Sequence, residues 1–183
     1  MSPTPLPEPP IHRGPSRWLT LFPCILLLAI IASIAVCSHH GPRAWASRAK
    51  CAANLSAIGQ AILLYADGNR GQLPDTLATL MQTEDITGNV FVCPESDDTP
   101  ADSHTNLATA AGHLSYIYIG NGMNSANLTR DIVVAYEPLS NHADAGMHVL
   151  FGDGHVDFIS PAAAGLLISK VAAKAFPVMM PSQ

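Results

Sequence analysis

From Trp18 to Cys37 the chain runs 20 residues without a charged side chain. As a helix rising about 1.5 Å per residue, such a run is about 30 Å long, the thickness of a bilayer's hydrocarbon core. A helix that is apolar on every side has to be covered on every side, by protein or by lipid. In 183 residues there is room for one modest domain beyond it, at about 100 to 200 residues per domain. The run therefore predicts a single transmembrane helix over 18–37. Ahead of it, residues 1–17 are proline-rich and carry Arg13 and Arg17 without apolar periodicity, which predicts a disordered tail. A cleaved secretory signal is the rival reading, but its apolar core is about 7 to 15 residues long, shorter than this one. A lipoprotein anchor at Cys37 is disfavoured because Val36, not a small residue, precedes it.

Beyond the run, Gly41-Pro42 predicts an interruption or kink, since proline removes a backbone bond and crowds the preceding turn. Cys51, Leu55, Ile58, Ile62 and Tyr65 then step by four and three, an apolar stripe on one helix face that needs a partner surface. Gly68 and Gly71 end that helix, and Asp75 is the expected N-cap of a short helix over 76–82. Asp67 and Asn69 hint at a calcium loop, but the further carboxylates are missing and a plain turn is expected. Asn89–Cys93, Leu114–Ile119, Ile132–Tyr136, His148–Phe151 and His155–Ile159 read as strands from their β-branched and aromatic content. Glu95–Gly112 is polar and aperiodic and reads as a loop. Ser160-Pro161 supplies an N-cap and a first-turn proline for a C-terminal helix over 162–176, stopped by Pro177. These elements give an α+β domain over 44–160, in which the amphipathic helix packs on a small antiparallel sheet, with a helix and tail over 161–183.

The last two strands flank Asp153-Gly154, a dipeptide suited to a two-residue type I′ turn. That turn pairs Phe151 with Val156 and Val149 with Phe158, placing four apolar side chains on one face. His148, Leu150, His155, Asp157 and Ile159 fall on the other.

His142, then Val149-Leu-Phe-Gly-Asp153-Gly154-His155-Val156, resembles the H-X9-DG domain of prepilin-like and pseudopilin-like bacterial proteins. Cys51-Ala-Ala-Asn-Leu-Ser-Ala-Ile-Gly-Gln-Ala-Ile-Leu-Leu-Tyr65 with Gly71-Gln-Leu-Pro74 is similar to the family's post-membrane helix. Cys93-Pro94 and Ser115-Tyr-Ile-Tyr-Ile-Gly120 resemble its middle, so the likeness spans about residues 45 to 160. The resemblance implies a pilin-like fold and a structural role in a type II secretion or surface assembly. It also implies a single-pass protein of the bacterial inner membrane, with its carboxy-terminal domain extracytoplasmic. Its partners would be the lipid bilayer and other pilin-like subunits or secretion-platform proteins. Two features depart from the family. Ten residues, not nine, separate His142 from Asp153, so either the loop carries a bulge or His148 takes part of the role of His142. Gly14 is followed by Pro15-Ser-Arg-Trp-Leu19 with no glutamate, which argues against prepilin processing and polymerisation.

Charge removes one class of partner. Between Asp67 and Asp157 thirteen carboxylates face only Arg70 and Arg130, a local balance of −11 that repels phosphate backbones, so no nucleic-acid partner is expected. Cys51 and Cys93 are candidate disulfide partners in an exported domain; closing a loop of about 43 residues is worth about 4 kcal/mol. The alternative is that Cys51 is an ordinary buried member of the stripe. His142, His148 and His155 with Asp144, Asp153 and Asp157 are of metal-ligating types, but no close-spaced ligand pair occurs. The expectation is instead that His142 hydrogen-bonds backbone in the loop feeding the hairpin. No nucleophile elbow, phosphate-cradling loop or C-x-x-C pair is present, so neither catalysis, a metal nor a cofactor is expected. The alternatives to a pilin-like role are a monomeric envelope binding module using the acidic 95–112 loop and, behind it, a metal-dependent hydrolase built on the three histidines.

Overall fold

The computed structural model describes residues 17–109 and 111–181. The proline-rich tail assigned to 1–17 lies outside them except for Arg17. The chain divides into two units, Met1–Arg43 and Ala44–Gln183. Helix α1 spans Arg17–Gly68 without a break at Gly41-Pro42. The expected interruption is absent because a proline inside a helix forfeits one bond, which the surrounding turns can carry. In the first unit, Ile25 to Leu28, Ile30 and Ile31 are each 48 to 65% exposed. Among the described residues no helix is long and apolar enough to cross a membrane. The side chains at 18–22, 24, 32 and 34–37, much of the assigned span, lie outside the described residues.

The second unit is α+β. Four strands, β1 Ile117–Tyr118, β2 Val133–Tyr136, β3 Met147–Phe151 and β4 Val156–Ile159, form one antiparallel sheet in sequence order. Helices α2 Leu77–Thr83, α3 His104–Thr109 and α4 Pro161–Ala172 complete it. The stripe of α1 packs as its spacing requires: Cys51, Leu55, Ile58 and Ile62 are buried in one cluster with Val134, Ala135 and Leu150 of the sheet. Helix and sheet approach closely at Gly59, where an added Cβ would stand 2.7 Å from Leu150 Cδ1.

The opposite face of the sheet is also covered. Met147, Val149, Phe151, Ile159, Val133 and Tyr136 form a second cluster with Ala164 and Leu167 of α4. A bulge in β2 explains the division, since Val133 pairs with Phe151 and Ala135 with Leu150. The extra residue, Val134, lets consecutive side chains face α1.

Several sequence expectations are corrected here. The hairpin does not turn on a two-residue loop. Leu150 pairs with Val156 and His148 with Phe158, Gly154 N–H donates to Phe151 O at 2.9 Å, and Gly154 has φ +89°. That is a three-residue loop whose last residue is left-handed. The one-residue slip exchanges faces for β4. Val156 and Phe158 share a face with His148 and Leu150, while Ile159 joins Met147 on the α4 side. Pairing with a sheet buried on both faces rewards this register as well as the expected one. Asn89–Cys93 is not a strand: Gly88–Phe91 forms a 3-10 turn, with Gly88 so close to Ala101 that a Cβ would lie 2.0 Å from its carbonyl oxygen. The 95–112 segment contains α3. Thr76, not Asp75, occupies the cap position of α2. Helix α4 has the expected Ser160 cap, its oxygen accepting from Ala163 N–H, but it stops at Ala172 because Lys174 turns left-handed at φ +53°. The following segment returns to the sheet, where Val133 N–H donates to Val178 O at 2.8 Å and Met180 N–H to Asp131 O at 2.8 Å.

Candidate functional site

A buried polar cluster lies where α1 meets the far end of β2 and the start of β3. Glu137, which follows β2, and His148, in β3, are brought together by the antiparallel ladder: Glu137 N–H donates to His148 O at 3.1 Å. The Glu137 carboxylate turns back so that Oε1 accepts from His148 N–H at 2.7 Å and stands 2.5 Å from His148 Nδ1. Glu137 is fully buried and His148 is 5% exposed.

His142 closes a 3-10 turn, Leu139–His142, that ends in Ala143 at φ +50°. Ala143 and Asp144 both adopt left-handed conformations. These two consecutive left-handed residues turn the chain between His142 and β3. The ring is buried. Its Nδ1 lies 2.5 Å from Glu95 Oε2 and its Nε2 lies 3.0 Å from Glu137 Oε1. The expectation that His142 bonds loop backbone is therefore corrected: both ring nitrogens face carboxylates. His142 and His148 share the Glu137 carboxylate oxygen Oε1.

Phe158, opposite His148 through the slipped register, covers the cluster. Its ring centroid is 4.8 Å from that of His148 and 6.0 Å from that of His142, and the Arg48 guanidinium lies over the ring, 5.0 Å from its centroid. Trp45, Arg48, Ala49, His148 and Phe158 line a surface hollow of about 310 Å³. Against the inner side of the cluster lies the Cys51–Cys93 disulfide, with Cα atoms 5.4 Å apart, tying α1 to the segment after the 3-10 turn. Asn54, one turn further along α1, donates to Val92 O at 2.9 Å and reinforces the same junction. Cys51, Cys93, Glu137 and His142 each bring one ligand-type atom to within 4.8 Å of the others, and all four residues are buried.

Asp153, Gly154 and His155 form a separate arrangement at the hairpin tip. His155 N–H donates to Asp153 Oδ1 at 3.1 Å, the His155 ring bonds the same carboxylate, and Nε2 stands 3.6 Å from Asp157 Oδ2. The ring stacks on Phe151 at 4.4 Å. Burial nudges the Asp153 carboxyl upward, but the bonds from His155 and the nearby Arg130 outweigh it and hold the group below the usual carboxylate range. The residues His142, Asp153, Gly154 and His155, grouped together in the sequence, are thus divided, with His142 in the buried cluster and the other three in the turn. The three histidines do not converge on one metal site, and Asp144 is exposed. In the acidic segment, Glu95 faces His142, Asp98 accepts from Ser115 Oγ at 2.6 Å and Asp102 accepts from Asn106, so these three carboxylates are engaged within the chain. Asn69 donates to Tyr65 O at 2.7 Å, a plain helix ending.

Glu95, Glu137 and Phe158 were not singled out from the sequence. Glu137 did carry a signal, as the one charge directly after an otherwise apolar strand, and such a position is buried only when paired. Comparison with protein-family models, curated proteins and solved structures finds no match to this chain.

Proposed function

We propose that this protein is a membrane-anchored, pilin-like structural component of a bacterial secretion or surface assembly. It would be single-pass, with the 44–183 unit on the extracytoplasmic side. The reading rests on one observation above all: Ile25, Leu26, Leu27 and Leu28 are consecutive helical residues and all are 59 to 65% exposed. At about 100° per residue they point around most of the helix circumference. An apolar surface of that kind requires lipid or other apolar helices around it. The helix that carries them also supplies the stripe that packs on the sheet, so one element both anchors the chain and organises the domain. Its outward face in the second unit leaves Leu64 62% exposed, a position for contact with a neighbouring subunit.

Two measurements test this. Full-length chain expressed in a Gram-negative host should sediment with membranes, resist alkaline carbonate and be released by detergent. Recovery in the soluble fraction overturns the anchor. A photo-crosslinking side chain at position 64 should trap a membrane protein with its own apolar amino-terminal helix. Crosslinks confined to soluble ligands would instead favour the monomeric binding module.

A further inference from the structure

We infer that Cys51, Cys93, Glu137 and His142 form a redox-gated site for one zinc-class divalent ion, closed while the disulfide is intact and opened by its reduction. The donor set is two sulfurs, one imidazole and one carboxylate, the types that tetrahedral zinc takes. With ligand bonds of about 2.0 to 2.3 Å, a tetrahedral shell holds its ligand atoms about 3.3 to 3.8 Å apart. The four atoms here already lie within 4.8 Å of one another, so side-chain adjustments of about 1 Å complete the shell once the sulfurs are free to separate.

The second observation is independent of the cysteines. Glu137 Oε2 is fully buried without a hydrogen-bond partner, and His142 Nε2, equally buried, makes no hydrogen bond although it stands 3.0 Å from Glu137 Oε1. A buried carboxylate oxygen left without a partner is costly, and a cation held by Oε2 and the neighbouring imidazole nitrogen removes the cost. The surroundings are already those of a metal site. Glu95 Oε2, facing His142 Nδ1, fixes the tautomer that offers Nε2 as a lone pair, and His148 holds Glu137 Oε1 from the other side. The hollow bounded by Trp45, Arg48 and Phe158 opens beside His148, one helical turn from Cys51.

The exchange balances with a dithiol as reductant. One of its thiolates attacks a cysteine sulfur and breaks the Cys51–Cys93 bond. The reductant ends as a disulfide, and its two electrons and two protons appear as two cysteine thiols. The divalent ion then displaces both thiol protons to solvent. Two thiolates and the Glu137 carboxylate against the ion leave one net negative charge on the shell.

The test uses the full chain in detergent, with Co²⁺ as probe and a phosphine as reductant so that no added thiol competes. The reduced chain should take up one Co²⁺ per molecule with the visible absorption of a tetrahedral thiolate complex, displaced by Zn²⁺, while the oxidised chain takes up none. Cys93→Ser and His142→Ala should each weaken uptake by at least about tenfold. Glu95→Gln, a positioning change, should weaken it by about 10- to 100-fold without changing the spectrum's tetrahedral form. His155→Ala, at the hairpin tip, should leave it unchanged. Absence of uptake by the reduced chain, equal uptake by the oxidised chain, or uptake unaffected by Cys93→Ser overturns the inference. So does a loss of fold on reduction that Co²⁺ fails to restore.

Discussion

Replacing Glu137 by alanine removes the acceptor on which the cluster converges. Oε1 receives His148 N–H at 2.7 Å, faces His148 Nδ1 at 2.5 Å and lies 3.0 Å from His142 Nε2, in a position with no exposure. A buried donor left unsatisfied costs about 1 to 3 kcal/mol, and a hydrogen bond to a charged group contributes about 1.5 to 3 kcal/mol. Some of this is returned, because the mutation also removes a carboxylate that is expensive to desolvate. The expected net loss is about 3 to 5 kcal/mol, the range for removing one member of a buried pair. At about 4 °C per kcal/mol for a unit of this size, Tm falls by about 12 to 20 °C. Circular-dichroism melts of the full chain in detergent measure it. A double-mutant cycle with His148→Ala then isolates the pair, with a coupling of at least about 1 kcal/mol expected. A single-mutant loss below about 1 kcal/mol, or additivity within about 0.5 kcal/mol, would refute the claim that this carboxylate organises the β2–β3 junction.

Other outcomes follow from the same geometry. Gly88→Ala places a methyl group 2.0 Å from Ala101 O, a backbone atom that cannot step aside; a loss of about 2 to 3 kcal/mol is expected in urea unfolding, with an unchanged midpoint counting against the close approach. The double variant Cys51→Ala with Cys93→Ala releases a bond spanning 42 residues and should lose about 4 kcal/mol of stability in the same assay. Asp153 has a lowered pKa in the folded state, so the stability it contributes is complete above the ordinary carboxylate range and is lost as pH falls through its lowered value. Asp153→Asn should therefore flatten the acid limb of the Tm-versus-pH curve slightly and leave the curve at neutral pH within about 2 °C, because the side chain is 44% exposed and solvent screens it.

The elements that were legible in the sequence are those in which one periodicity dominates. The steps of four and three from Cys51 to Tyr65 could satisfy only a helix with one buried face, and Ser160-Pro161 could start a helix but not continue a strand. Asn89–Cys93 misled because Val90, Phe91 and Val92 carry strand-forming side chains, whereas the close approach of Gly88 to the Ala101 carbonyl, a contact distant in sequence, selects a tight turn. Helix α3 was hidden because its six residues, His104–Thr109, bury only Leu107, too little for a periodic signal.

The hairpin register shows how a small misreading of turn chemistry reaches the candidate site. Asp153-Gly154 suits a two-residue turn when read alone, but Gly152 in front of it also tolerates a wider loop, and apolar residues lie on both faces of β3, so alternation cannot choose between the two registers. The chain resolves this through its layers: with α1 on one face and α4 on the other, Val149 and Phe151 need not share a side with Val156 and Phe158. The wider loop sets Phe158 against His148 and Ile159 against Met147. In the narrower register Ile159 would stand opposite His148, and the aromatic contact of Phe158 with the two histidines and with Arg48 would be lost. Phe158 packs on the two imidazoles that flank Glu137, and a dry carboxylate beside two imidazoles and a pair of cysteines is what gives this otherwise structural junction chemical content.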